Sequence, residues 1–167
     1  MFAGETLLYL DYDGVLGHEN VRVGPDGEPY LQAPPRYRLF QHVELLEELL
    51  APYPCLQIVL STSWAARFGM QRAASYLPEG LRRRVVGATA WDQGLDVFLR
   101  LPRPEQIAND LACRAPRGWL AIDDDLRDWP DWMLPHVVFS DPYEGISPLK
   151  VQDAIRAQLH RVASPSP

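Results

Sequence analysis

Three short runs in this chain are apolar at nearly every position: TLLYL at 6–10, LQIVL at 56–60 and WLAI at 119–122. A strand with one face in water alternates apolar and polar residues. A run without that alternation is buried on both faces, as in a parallel sheet. RVVGA at 84–88 and HVVF at 136–139 add two further strands. Between them lie segments of helical spacing. Residues 37–50 carry Phe40, Val43, Leu46, Leu49 and Leu50, and 64–76 and 104–113 are also read as helices, the latter with proline in its first turn. A closing helix is expected over 147–162, with Ser147 as N-cap and Pro148 at the first helical position. Strand and helix in alternation predict an α/β fold: one mainly parallel five-stranded sheet between two helical layers. In such sheets ligands bind beyond the carboxyl ends of the strands.

Those ends share a character. The first strand runs into Asp11-Tyr12-Asp13-Gly14, the second into Ser61-Thr62-Ser63, the fourth into Asp123-Asp124-Asp125. Each alone has an ordinary explanation as a turn, a helix cap or a loop. Together, on one rim, the acids would repel one another without a cation. Carboxylates with no His or Cys beside them suit Mg²⁺ rather than zinc. The chemistry that uses this set is phosphoryl transfer. One carboxylate accepts the phosphoryl group, and a second, two residues on, protonates the leaving oxygen and then deprotonates water. Gly14 lets the chain turn between them and the substrate.

The rest of the chain sets bounds. At 167 residues, with 47% in the hydrophobic set, it can bury a full core as one domain without metal or disulfide staples. A single domain over 1–162 is expected, with 15–36 (containing GPDGEP) as a short hairpin flap and 163–167 as a disordered tail. The net charge of -6 does not favour nucleic acid, although it leaves such a partner open. Arg82, Arg83 and Arg84, the densest basic cluster, read as a solvated face or a strand entry. Cys55 and Cys113 have no metal or redox spacing and read as reduced, core or near-core thiols, which fits a cytoplasmic setting. No signal peptide and no run long enough for a membrane span is visible.

These motifs resemble the haloacid dehalogenase (HAD) superfamily of aspartate-dependent phosphohydrolases. DYDGVL matches the first motif, IVLSTSW the second and LAIDDD the fourth, in the family's order. The layout from STSWA through RPEQIANDLA and WLAIDDDL to DPYEGIS is closest to the HAD domains of bacterial RNA-repair proteins. The resemblance implies a Rossmann-like fold, Mg²⁺, a phosphorylated substrate and an aspartyl-phosphate intermediate. It makes Asp11 the nucleophile and Asp13 the general acid/base, both also metal-ligating, and Asp124 the metal ligand, with Asp123 as a water-mediated or alternative one. Thr62 matches the phosphate-binding hydroxyl, a place that Ser61 or Ser63 takes if the strand ends one residue off.

One motif departs. The family's third motif is a basic residue, usually lysine, yet there is no lysine between Ser63 and Asp123. Arg103 sits where the resemblance puts that residue. Lys150, the only lysine of the chain, lies in the first turn of the last helix and reads more simply as a surface residue. The missing lysine motivates the alternative of a catalytically weak HAD domain that binds a phosphorylated partner. A receiver-type phosphoacceptor fits less well, since the third strand ends in Gly87-Ala88-Thr89 rather than an aspartate. No large cap is expected, and the open site that follows suits bulky phosphate ends of protein or nucleic acid by analogy of fold. His18 and Glu19, just past the first motif, are candidates for substrate contact. Trp64 reads as a core residue or a base-stacking one, and Trp119, Trp129 and Trp132 as packing residues.

Overall fold

The computed structural model describes residues 5–89 and 95–164. Its centre is β1 (Thr6–Leu10), flanked on one side by β4 (Leu56–Leu60) and β5 (Val85–Ala88) and on the other by β6 (Gly118–Asp123) and β7 (Val137–Phe139). All four pairings are parallel, and the strand order is β5-β4-β1-β6-β7. This is the Rossmann-like α/β sheet expected from the unbroken apolar runs. Side chains alternate across it. Leu8 and Leu10 enter a core with Leu46 and Leu50 of α1 (Val43–Leu50) and Ile155 and Leu159 of α7 (Leu149–Ala163). Leu7 and Tyr9 enter a second core with Ile107 of α6 (Arg103–Arg114), Trp119 and Trp129. Both faces are therefore dry, which is why β1 has no exposed position.

Register carries the strand ends to a common rim. Leu10 pairs with Leu60 and with Ile122. The next backbone bonds run from Ser61 N–H to the Leu10 carbonyl (2.8 Å) and from Asp11 N–H to the Ile122 carbonyl (3.2 Å). Asp11, Ser61 and Asp123 thus leave adjacent strands at one level.

The segment between β1 and α1 carries a hairpin, β2 (Val21–Val23) against β3 (Pro29–Leu31). The tip of this flap is tied down: Arg72 of α3 (Met70–Ser75) reaches the Glu28 carboxylate at 2.7 Å.

Several expectations shift. The helix expected over 37–50 begins only at Val43, because Phe40 has a left-handed backbone (φ 55) that points its ring into a cluster with Tyr12, Trp64 and Tyr76. The helix expected over 64–76 is two, α2 (Ser63–Phe68) and α3, broken at Gly69 with φ 83. The short helices α4 (Glu79–Arg82) and α5 (Leu95–Arg100) were not foreseen. Ser147 does not cap α7; its hydroxyl donates to the Glu144 carbonyl (2.8 Å), Pro148 takes the N-cap position, and the helix runs on through Ala163. Only residues 165–167 of the expected tail lie outside the described residues. Cys55 and Cys113 are exposed rather than core, one in the turn before β4 and the other near the end of α6. Trp132 is also exposed and meets Trp119 edge to face. Of the arginine cluster, Arg84 is partly buried, donating to the carbonyls of Leu50 and Tyr53 and so binding the end of α1 to the sheet.

Candidate active site

Asp11 and Asp13 both line an open cleft of about 460 Å³ at the carboxyl rim, together with Ser63, Arg103, Asp124 and Glu19. The intervening Tyr12 points the other way, into the core, where its hydroxyl donates to the Ala73 carbonyl (3.0 Å). Two acids therefore share one side of the chain because the residue between them is anchored on the other. The turn that follows needs glycine. Gly14 has φ 72, and a Cβ there would lie 2.3 Å from Asp124 Oδ2. Its carbonyl accepts from Ser140 Oγ at 2.6 Å, so the loop after β7 braces the loop after β1. Nothing in the local sequence around Ser140 signals this partnership, which the sheet order alone creates.

Arg103 stands against the acids of the rim. Its Nη1 lies 3.1 Å from Asp123 Oδ2 and 3.4 Å from Asp11 Oδ2, and it also donates to the Ser61 carbonyl. Its guanidinium lies over the Phe98 ring (5.1 Å). Gln106, one turn further along α6, donates to the carbonyls of Phe98 and Leu101 and so fixes the α5–α6 connection. Lys150 lies exposed in the first turn of α7, outside the residues that line the cleft.

The three candidate hydroxyls separate. Thr62 is fully buried and faces the Trp64 amide as the N-cap of α2 (3.4 Å). Ser61 Oγ is buried and has no hydrogen-bond partner among the described residues. Ser63 lines the cleft. His18 packs its ring against Tyr37 and Tyr143 and accepts from the Asn20 amide, a structural role, whereas Glu19 does face the cleft. Trp64 is buried in the aromatic cluster, and its indole N–H also donates to Asp13 Oδ1 at 2.9 Å. That second role was missed in the sequence; its only trace is a tryptophan at the start of the helix following the second motif.

Charge at the site is unbalanced. Burial pushes Asp11 well above the ordinary carboxylate range, with Asp123, Asp124 and Asp13 adding repulsion and Arg103 opposing it. Burial raises Asp13 to about 6, against the Trp64 hydrogen bond and Arg103. Burial and the charge of Asp123 raise Asp124 to about 7. Burial alone would lower the Arg103 guanidinium, but Asp11 and Asp123 hold it above its ordinary value. Asp125 stands apart, held low by its paired hydrogen bonds to Arg127 (2.8 and 2.7 Å).

One guanidinium among Asp11, Asp13, Asp123 and Asp124 leaves negative charge for a cation to meet. Asp11, Asp123 and Asp124 each offer a carboxylate oxygen within 4.8 Å of the others. This all-oxygen set fits a hard divalent ion such as Mg²⁺. Both oxygens of Asp123 are already engaged, by Arg103 and by the Asp125 amide (3.0 Å). Among the described residues no other residue donates to the Asp124 carboxylate, so Asp124 is the freer carboxylate.

Comparison with known proteins places the chain. The family model described as the HAD domain in Swiss Army Knife RNA repair proteins matches residues 7–151. The chain belongs to that family. The match runs from the second residue of β1 into the first turn of α7, so this HAD domain includes every strand of the sheet and the whole rim. No curated protein matches it by sequence. Among solved structures it is similar to the 3-deoxy-D-manno-octulosonate 8-phosphate phosphatase from Yersinia pestis, at 18% identity and a TM-score of 0.46, over 92% of this chain and 83% of that one. Among the described residues, no helix of the domain is long and apolar enough to cross a membrane.

Proposed function

We propose that this HAD domain is a Mg²⁺-dependent phosphohydrolase that removes phosphate from a phosphomonoester through an aspartyl-phosphate on Asp11. The observation that carries the reading is the pairing of Asp11 and Asp13 on one cleft, with Arg103 against the first and Trp64 against the second. Asp11 is the nucleophile: its Oδ attacks phosphorus as the bond from phosphorus to the leaving oxygen breaks. Asp13 gives that oxygen its proton. In the second half Asp13 takes a proton from water, the water oxygen attacks phosphorus, and the bond to Asp11 breaks to release phosphate. A group raised to about 6 is suited to both duties near neutral pH. Arg103, with the Ser63 hydroxyl, meets the phosphoryl oxygens, and the unpartnered Ser61 hydroxyl lies at the same level of the sheet. Asp124, Asp11 and the Asp13 backbone would hold Mg²⁺, with Asp123 in support. Bound there, the ion supplies charge neutralisation between the anionic nucleophile and the anionic substrate.

Arg103 supports an enzyme over a domain that only binds, since it brings a cation to the acids that the missing lysine would have served. The open cleft and the family's description favour a bulky substrate, with an RNA phosphate end as the class. The test is phosphate release from an aryl phosphate in Mg²⁺. Wild type should turn over, and Asp11→Asn should lose at least a thousandfold. Wild type as inert as the variant across a panel of phosphomonoesters would overturn the reading in favour of a binding domain.

A further inference from the structure

We propose that the cleft continues past Asp13 into a subsite for a second phosphate group on the substrate's leaving group, held by Arg67 and Arg22. The inference rests on the phosphohydrolase reading for its orientation. A general acid must face the leaving oxygen, so whatever lies beyond Asp13 receives the leaving group. Beyond Asp13 there is a second cavity of about 230 Å³, which shares Asp13 and Ser63 with the catalytic cleft. It is smaller than the roughly 300–1,000 Å³ of a whole-ligand pocket and suits one part of a larger substrate.

Its walls come from two elements. The flap gives Arg22 between Val21 and Val23, with Pro29 opposite; α2 gives Arg67 and Phe68. The apolar side chains suit an organic body, and the two guanidiniums suit an anion. Arg67 and Arg22 are exposed and form no salt bridge among the described residues, in a chain of net charge -6. Among the described residues the Arg22 side chain hydrogen-bonds only the Gln32 amide oxygen, through Nε at 3.4 Å, which leaves its outer nitrogens free. By contrast Arg127, across the cleft, is spent on Asp125. A planar fork with free N–H groups favours phosphate. The wall is fixed in place, because Arg72 ties the flap tip to α3 through Glu28 and the Gly27 carbonyl. Such a subsite explains how an acidic protein would select one anionic substrate from many: the cations are few and placed next to the proton donor.

The experiment compares adenosine 3′,5′-bisphosphate with adenosine 3′- and 5′-monophosphate in Mg²⁺, reading both phosphate release and calorimetric binding. The bisphosphate should exceed the better monophosphate at least tenfold in kcat/KM, mainly through KM, and similarly in affinity. Arg67→Ala and Arg22→Ala should each cut that preference severalfold, and the double variant should bring it near one. Arg156→Ala, on α7, should leave it unchanged. Monophosphates hydrolysed as well as the bisphosphate, with a ratio indifferent to both arginines, would overturn the subsite and leave the hydrolase reading standing. Preferential bisphosphate binding that the double variant erases, without turnover of any nucleotide or aryl phosphate, would uphold the subsite and sink the hydrolase reading. No preference in either binding or turnover overturns the subsite.

Discussion

Replacing Arg103 by alanine removes the cation that pairs with Asp11 and Asp123. Its Nη1 sits 3.1 Å from a carboxylate that is 1% exposed and 3.4 Å from one that is 8% exposed. At an effective dielectric near 20, each attraction is worth about 5 kcal/mol before desolvation is subtracted. Breaking a buried pair by removing one partner costs roughly 3–5 kcal/mol, because the remaining charges stay buried and uncompensated. For a domain of this size that lowers Tm by roughly 10–15 °C. The loss should also depend on pH. Arg103 is the group that lowers Asp11 and Asp123, so without it both rise further above their unfolded value. A carboxylate raised in the folded state is harmless below about pH 4 and costs stability as pH climbs through its folded pKa. The gap between variant and wild type should therefore widen from pH 5 to pH 8. Mg²⁺ should close part of it, with a larger rise in Tm for the variant, since the competing guanidinium is gone. Arg103→Lys should recover at least half of the lost stability, because one ammonium can meet the acceptors that Nη1 meets. Thermal unfolding in chelator and in Mg²⁺ reads all of this. A metal-free Arg103→Ala protein melting within 2 °C of wild type at both pH values would refute the reasoning.

Three further outcomes follow from the same geometry. Trp64→Phe leaves Asp13 Oδ1 without its donor; stability should fall by about 1–3 kcal/mol, and kcat/KM should fall at least tenfold for alkyl phosphates but less for nitrophenyl phosphate, whose leaving group needs no proton, so equal losses on both would deny Asp13 its acid role. Gly14→Ala puts a methyl group 2.3 Å from Asp124 Oδ2 at a φ that disfavours alanine; the Mg²⁺ concentration for half-maximal activity should rise about tenfold, and an unchanged value would count against Asp124 as ligand. Metal-free wild type should lose roughly 5–10 °C in Tm between pH 5 and pH 8, because burial raises Asp13 and Asp124 from 3.8 to about 6 and 7 and that cost appears as pH passes through those values; Mg²⁺ should stabilise more at pH 8 than at pH 5, and the opposite order would contradict the assigned shifts.

What could be read from the sequence is what a local pattern determines. Unbroken apolar runs fix the strands, since a residue such as Tyr9 has to be buried whichever strand lies next to it. The acids after them follow, because parallel pairing in register leaves no other rim for Asp11, Ser61 and Asp123. Helix limits were less legible where tertiary contacts override spacing: Phe40 gives up helical geometry to join three rings from distant segments. Exposure of Cys113 depended on which side of α6 faced solvent, and that of Cys55 on its place in the turn before β4, which the flanking apolar residues do not decide. The deepest gap was in partnership. That Trp64 holds Asp13 and that Ser140 holds Gly14 are contacts across 51 and 126 residues, invisible to any window of sequence. Arg103 was recoverable only through the family's motif order. In its position one nitrogen of the guanidinium meets Asp11, Asp123 and the Ser61 carbonyl, and its plane lies on Phe98. A compact ammonium has no planar surface to offer that ring, so the substitution in the motif and the aromatic residue beneath it belong to one solution.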